Sequence, residues 1–205
     1  MFISRLFSDP RQFAATALIV IFSICAHEFM HAFVALKCGD STAADRGHLT
    51  MNPFKQMGLM SLVMLAILGI AWGQVPVNPA NLRTRGARIA VSAAGVTANF
   101  ALAAIFALLC AVTVVCCPHR EFAVNMLFYG SSINLVLMAV NLFPVPGFDG
   151  WKILTEFWRP NTSSQLTGGV FFVMVIALFY GIEYIYGAAF SVALLAVRLL
   201  TGGRV

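Results

Sequence analysis

Residues 12–36 form an unbroken run without Lys, Arg or Asp, yet three ionisable side chains, His27, Glu28 and His31, sit together near its end. As an α-helix the run reaches about 37 Å, enough to cross a bilayer core of roughly 30 Å. An ionisable group inside such a helix is costly, so three of them mark a functional position rather than a packing detail.

The rest of the chain follows the same pattern. Residues 89–118 and 122–143 read as further spans. Residues 168–200 are apolar except for Glu183 and Arg198, and form either one long tilted helix or two shorter pieces. Residues 57–82 are uncharged but broken by Gly58, Gly69, Gly73, Pro76 and Pro79, and their continuous apolar part, 59–72, is short for a crossing. With 60% hydrophobic and only 10% charged residues, the chain cannot cover itself in water. A disordered chain and a small soluble enzyme are excluded. The expected fold is an all-α polytopic membrane protein, a bundle of about four to six transmembrane helices embedded in lipid. A short cytoplasmic-side β-hairpin or re-entrant segment accompanies it. The N-terminal apolar run is too long for a removable signal and is expected to stay as the first transmembrane helix.

Two loop pieces carry the hairpin expectation. Residues 46–53 alternate briefly between Gly47 and the Asn52-Pro53 pair, and residues 74–79 are extended by Pro76 and Pro79. They could pair as two short strands or stay as irregular loop. Net charge is +5, but no basic run follows a phosphate backbone, so no nucleic-acid partner is expected. The five cysteines include no C-x-x-C pair, which leaves neither a disulfide framework nor a cysteine zinc knuckle.

Histidines four apart share one helix face, so the His27 and His31 imidazoles can reach a single metal ion. Glu28 lies near that face and suits a general base acting on water activated by the metal. A third ligand must come from elsewhere. Asp40, Asp45, His48, His119, Glu121, Asp149, Glu156 and Glu183 are the candidates. His27 and His31 lie near the C-terminal end of the first span, and Asp149 follows the C-terminal end of 122–143, where Pro144 ends the helix. If both spans run the same way, the two ends lie at one depth. Parity then requires one crossing between them, 89–118, and requires 57–73 to re-enter or stay within the bundle. Asp149 could instead merely cap the helix that follows, and Glu183 is its main rival as an intramembrane acid. Residues 37–88 hold six of the 13 basic residues, and Lys152 and Arg159 fall on the same side, so the metal lies nearer the cytoplasmic face by the positive-inside rule.

The two motifs His27-Glu28-x-x-His31 and Asn141-x-x-Pro144-x-Pro146-x-x-Asp149-Gly150 together resemble the site-2 protease family of intramembrane zinc metalloproteases. Ala94-Gly95-Val96-Thr97-Ala98-Asn99 resembles that family's Gly-Pro-x-x-Asn helix motif, with Val96 in place of the proline. Residues 47–53 and 76–79 look like its compact bacterial and archaeal branch, although 54–58 lacks the His and Asp often found there. The likeness covers roughly residues 12–155. It implies one Zn2+ per chain held by His27, His31 and Asp149, Glu28 as the base, and Asn99 and Asn141 near the substrate backbone. The length suits a single transmembrane metalloprotease domain over 1–205, with its core in 12–155 and a C-terminal membrane segment in 168–200, and an appended regulatory domain is not expected to fit in it. The substrate would be a transmembrane protein or peptide, unwound locally and added as a strand to the edge around His48 to Asn52. The setting would be the cell membrane of a prokaryote. The sequence leaves the oligomeric state open. A zinc-binding scaffold without proteolysis and a metal transporter are the alternatives, although a transporter should carry polar residues along several helices rather than at one depth.

Overall fold

A computed structural model describes residues 4–158 and 164–203. Arg159, one of the charges used for orientation above, lies outside them. A short helix, α1 (Ser4–Ser8), leads into α2 (Pro10–Lys37). The α2 start is set by Pro10 and by Asp9, whose carboxylate accepts from Gln12 N at 2.9 Å. Two single-turn helices follow, α3 (Thr42–Asp45) and α4 (Pro53–Gln56), then α5 (Gly58–Leu68). The long helices α6 (Arg85–Cys116) and α7 (Glu121–Leu142) come next, then the short α8 (Asp149–Phe157) and finally α9 (Ser164–Thr201).

Among the described residues four helices are long and apolar enough to cross a membrane: α2, α6, α7 and the Tyr180–Thr201 part of α9. This is the helical bundle expected from hydropathy. Helix α9 runs on through Gly181 and Gly187 as one piece, which decides between the two readings of 168–200. At its far end Val197 packs with Ala107 and Cys110 of α6 and with Val124 and Leu127 of α7. The C-terminal end of α2, the N-terminal half of α6 and the C-terminal end of α7 meet at the opposite end.

Helix α5 has 11 residues and spans only about 16 Å, half a bilayer core. It stops at Gly69, whose φ of 77° is left-handed backbone that glycine adopts without strain. The chain then doubles back. Ser61 Oγ accepts from Trp72 N at 2.9 Å and donates to Trp72 O at 2.7 Å, tying the returning segment to the first turn of α5. Gln74 N donates to Gln56 O at 2.9 Å, closing the excursion at its base. The segment therefore doubles back toward its start, and Leu65 and Met57 pack on Ile24 and Cys25 of α2.

The expected β-hairpin is not formed: among the described residues there is no strand. The cause is the fully buried Gln56. Its Nε2 donates to His48 O at 2.9 Å and to Thr50 O at 2.7 Å, satisfying the carbonyls that a partner strand would have used. Asn52 caps α4 by accepting from Phe54 N, with Pro53 in its first turn. The region 48–52 thus offers no strand edge of the kind expected for substrate.

Candidate metal centre and the family it defines

His27 and His31 are buried on the α2 face that looks toward α6 and α7. The chain leaves α7 at Phe143, turns through Pro144 and Pro146, and starts α8 at Asp149. That turn is tight, because a β-carbon on Gly150 would overlap the carbonyl of Leu142. It delivers Asp149, also buried, so that Oδ2 lies 3.1 Å from His27 Nε2 and 3.0 Å from His31 Nε2. The two Nε2 atoms are 3.0 Å apart.

The partners on the far side of each ring decide what these atoms are. His31 Nδ1 lies 2.7 Å from Val91 O, which can only accept, so Nδ1 carries the proton. His27 Nδ1 lies 2.6 Å from Asn99 Oδ1, while Asn99 Nδ2 donates to Asn134 Oδ1 at 3.0 Å, so again Nδ1 is the donor. Both Nε2 atoms then present lone pairs to each other and to a carboxylate oxygen. Asp149 Oδ2 is buried and has no hydrogen-bond partner among the described residues. Three converging acceptors repel unless a cation lies among them. Two imidazoles and one carboxylate oxygen are a donor set that suits zinc with a position left open. Gly95 of α6 completes the cradle, since a β-carbon there would overlap Nε2 of both histidines. Among the described residues this is the one group of His, Cys, Asp and Glu side chains able to share a metal ion.

The rival ligands are placed elsewhere. Asp40 is buried but accepts hydrogen bonds from Thr42, Asn78 and Asn81. Asp45 accepts from Ser41 Oγ, and Glu156 makes a two-pronged ion pair with Arg88 at 2.8 Å on each arm. Glu183 is exposed on α9.

Glu28 is buried beside His27, His31 and Asp149 and lines a cavity of about 790 Å³. The extended run after Trp72 passes directly over it, and a β-carbon on Gly73 would overlap the Glu28 carboxylate. Asn141 also lines the cavity, with Nδ2 donating to Leu137 O at 2.9 Å. Asn99 is fully buried, with its oxygen on His27 and its nitrogen on Asn134. Asn134 in turn donates to Ser23 Oγ at 2.9 Å, so a polar chain Ser23–Asn134–Asn99–His27 ties α2, α6 and α7 together. Sequence reasoning missed Asn134. The available signal was an amide in an otherwise apolar span, whereas Asn99 was marked by its place in the family's helix motif.

Bundle and site together define a polytopic membrane metalloprotein with a buried His–His–carboxylate centre. Known relatives place it more narrowly. "Putative zinc metalloprotease Rip2" of Mycobacterium tuberculosis is 33% identical over 180 residues, covering 83% of this chain and 69% of that protein. "Putative zinc metalloprotease YwhC" of Bacillus subtilis is 31% identical over 163 residues, 73% of this chain and 72% of that one. The Mycolicibacterium smegmatis protein also named Rip2 is 33% identical over 168 residues, 77% and 64% of the two chains. No family model matches the chain, and no solved structure matches it. The chain belongs to the site-2 protease family of zinc metalloproteases.

Proposed function

We propose that this chain is an intramembrane zinc metalloendopeptidase of the site-2 type, a single domain over residues 1–205. It cleaves peptide bonds within or near transmembrane segments of membrane-protein substrates. His27, His31 and Asp149 hold one zinc ion, and Glu28 is the general base. The observation that carries this reading is the convergence of two imidazole lone pairs and an unpartnered carboxylate oxygen within 3.0–3.1 Å, from segments more than a hundred residues apart.

When bound, zinc supplies Lewis-acid chemistry, lowering the pKa of water and polarising a carbonyl. Glu28 takes the proton from the attacking water at its carboxylate and returns it to the nitrogen of the leaving amine. Its burial under the Gly73 segment keeps bulk water from competing for that proton. Asn141 stands on the cavity wall and meets the backbone of a locally unwound substrate. Asn99 acts through His27, holding the ring with Nε2 toward the metal.

The basic residues Lys37, Arg46, Lys55, Arg83, Arg85 and Arg88 lie in or beside the loops at the site end of the bundle, with Lys152 next to Asp149. The positive-inside rule puts this end toward the cytoplasm. The bacterial relatives support a prokaryotic cell membrane as its location.

The test is purification in detergent, zinc analysis, and cleavage of a single-span substrate by the wild type and Glu28→Gln. The expected result is zinc in both and cleavage in the wild type alone. Undiminished cleavage by the variant would remove Glu28 from its role.

A further inference from the structure

We propose that Lys152 fixes Asp149 as a one-oxygen ligand and so reserves a metal coordination position for water and substrate. The inference rests on the metal site proposed above and assigns a positioning role to a residue outside its ligand set. Lys152 lies three residues after Asp149 on the first turn of α8, so both side chains share one face. Its Nζ donates to Asp149 Oδ1 at 3.0 Å. The Lys152 side chain is 55% exposed and that of Asp149 only 3%, so the ammonium reaches in from the cavity wall to one oxygen of a buried carboxylate. The other oxygen, Oδ2, has no donor and faces both imidazoles.

The two carboxylate oxygens are therefore chemically distinct before any metal is considered. A carboxylate can bind a cation through one oxygen or both. Catalytic zinc sites combine three protein donors with water and expand to a fifth position for substrate, and a carboxylate swinging both oxygens onto the ion beside that water would take the fifth position itself. The Asp149 backbone is already held by the tight α7–α8 turn at Gly150. What remains is rotation of the carboxylate about its side-chain bonds, and the ammonium on Oδ1 blocks that rotation. An ordinary ion pair on a helix surface would have no such effect on the metal.

The experiment uses the full chain in detergent micelles, loaded with cobalt(II). Visible cobalt bands weaken as a four-coordinate site becomes five-coordinate. Wild type and Lys152→Arg, which keeps a charged donor for Oδ1, are expected to share the strong four-coordinate spectrum. Lys152→Met is expected to bind one cobalt per chain with clearly weaker bands. If Lys152→Met does not fold, Lys152→Gln, which keeps a polar side chain without the charge, carries the same comparison with the same weakening expected. A wild-type spectrum from a folded, metal-loaded Met or Gln variant would overturn the role of Lys152 and leave the metal site standing. Failure of the wild type to bind cobalt or zinc at all would overturn the metal site itself.

Discussion

Nδ1 of His27 and Oδ1 of Asn99 lie 2.6 Å apart, joining α2 to α6 across 72 residues of chain. This contact fixes which ring nitrogen keeps its proton, and therefore which one is free to bind a cation. Asn99→Leu removes the acceptor. Zinc affinity, measured by competition with a chelator, is expected to fall about 10–100-fold. Asn134→Leu, one step further along the same polar chain, should cost less. Equal losses in the two variants would mean that the network as a whole, rather than the His27 contact, sets the affinity.

Gly95 faces the imidazole pair with no room for a methyl group. Alanine is the better helix former, so Gly95→Ala leaves α6 itself at least as stable while pushing its new β-carbon into both Nε2 positions. The expected outcome is a folded protein holding well under one zinc per chain. Full zinc occupancy by metal analysis would show that α6 can retreat from α2.

Gly73 stands in the same relation to Glu28. Gly73→Ala should therefore leave zinc content intact and displace Glu28, the proposed base. General bases contribute about 10²–10⁴-fold to rates, and a loss of about 10²-fold in kcat is expected. Gly73→Ala and Gly95→Ala thus separate base from ligands. Zinc loss in the Gly73 variant would contradict that separation.

Asp40, just past the end of α2, holds the loop that follows Gly73. Its carboxylate accepts from Asn78 N at 2.7 Å and Asn81 Nδ2 at 2.8 Å, besides Thr42. Burial pulls its pKa upward, but the hydrogen bonds from Thr42, Asn81 and Asn78 outweigh it and hold the group below the ordinary carboxylate range. A depressed folded pKa gives stability that is complete above the unfolded value of about 3.9 and is lost as pH falls through the lower folded value. Thermal stability in detergent should therefore drop below about pH 4. Asp40→Asn should lower stability at pH 7 by about 1–3 kcal/mol, because one acceptor becomes a donor facing another donor. The variant should also flatten the acid limb. An acid limb as steep in Asp40→Asn as in the wild type would assign it to other carboxylates.

Much of this site was legible because its signals are local. Hydropathy located the spans, and the four-residue spacing of His27 and His31 follows from helix geometry alone. Residues 59–72 read as short for a crossing, and the 11-residue helix that forms there reaches only about half a bilayer core. The hairpin expectation failed for a reason invisible to strand propensity: one side-chain amide, Gln56, took the carbonyls of His48 and Thr50.

The remaining choices were not local. Asp149 and Glu183 are both acids at or near membrane helices, and the sequence favoured Asp149 only through its place after a helix end and the motif running from Asn141 to Gly150. Packing of α7 against α2 brings Asp149 to 3.0 Å from His31 and leaves Glu183 exposed on α9. The amino-acid order by itself determined the helices, their lipid-facing character and the paired histidines, since each depends on residues within a few turns. Only the tertiary structure decided how closely Asp149 meets the two histidines, the protonated nitrogen of each ring and the split between the two oxygens of Asp149. Those depend on the register in which distant helices meet, and a shift of one turn in that register would send the same side chains to other partners.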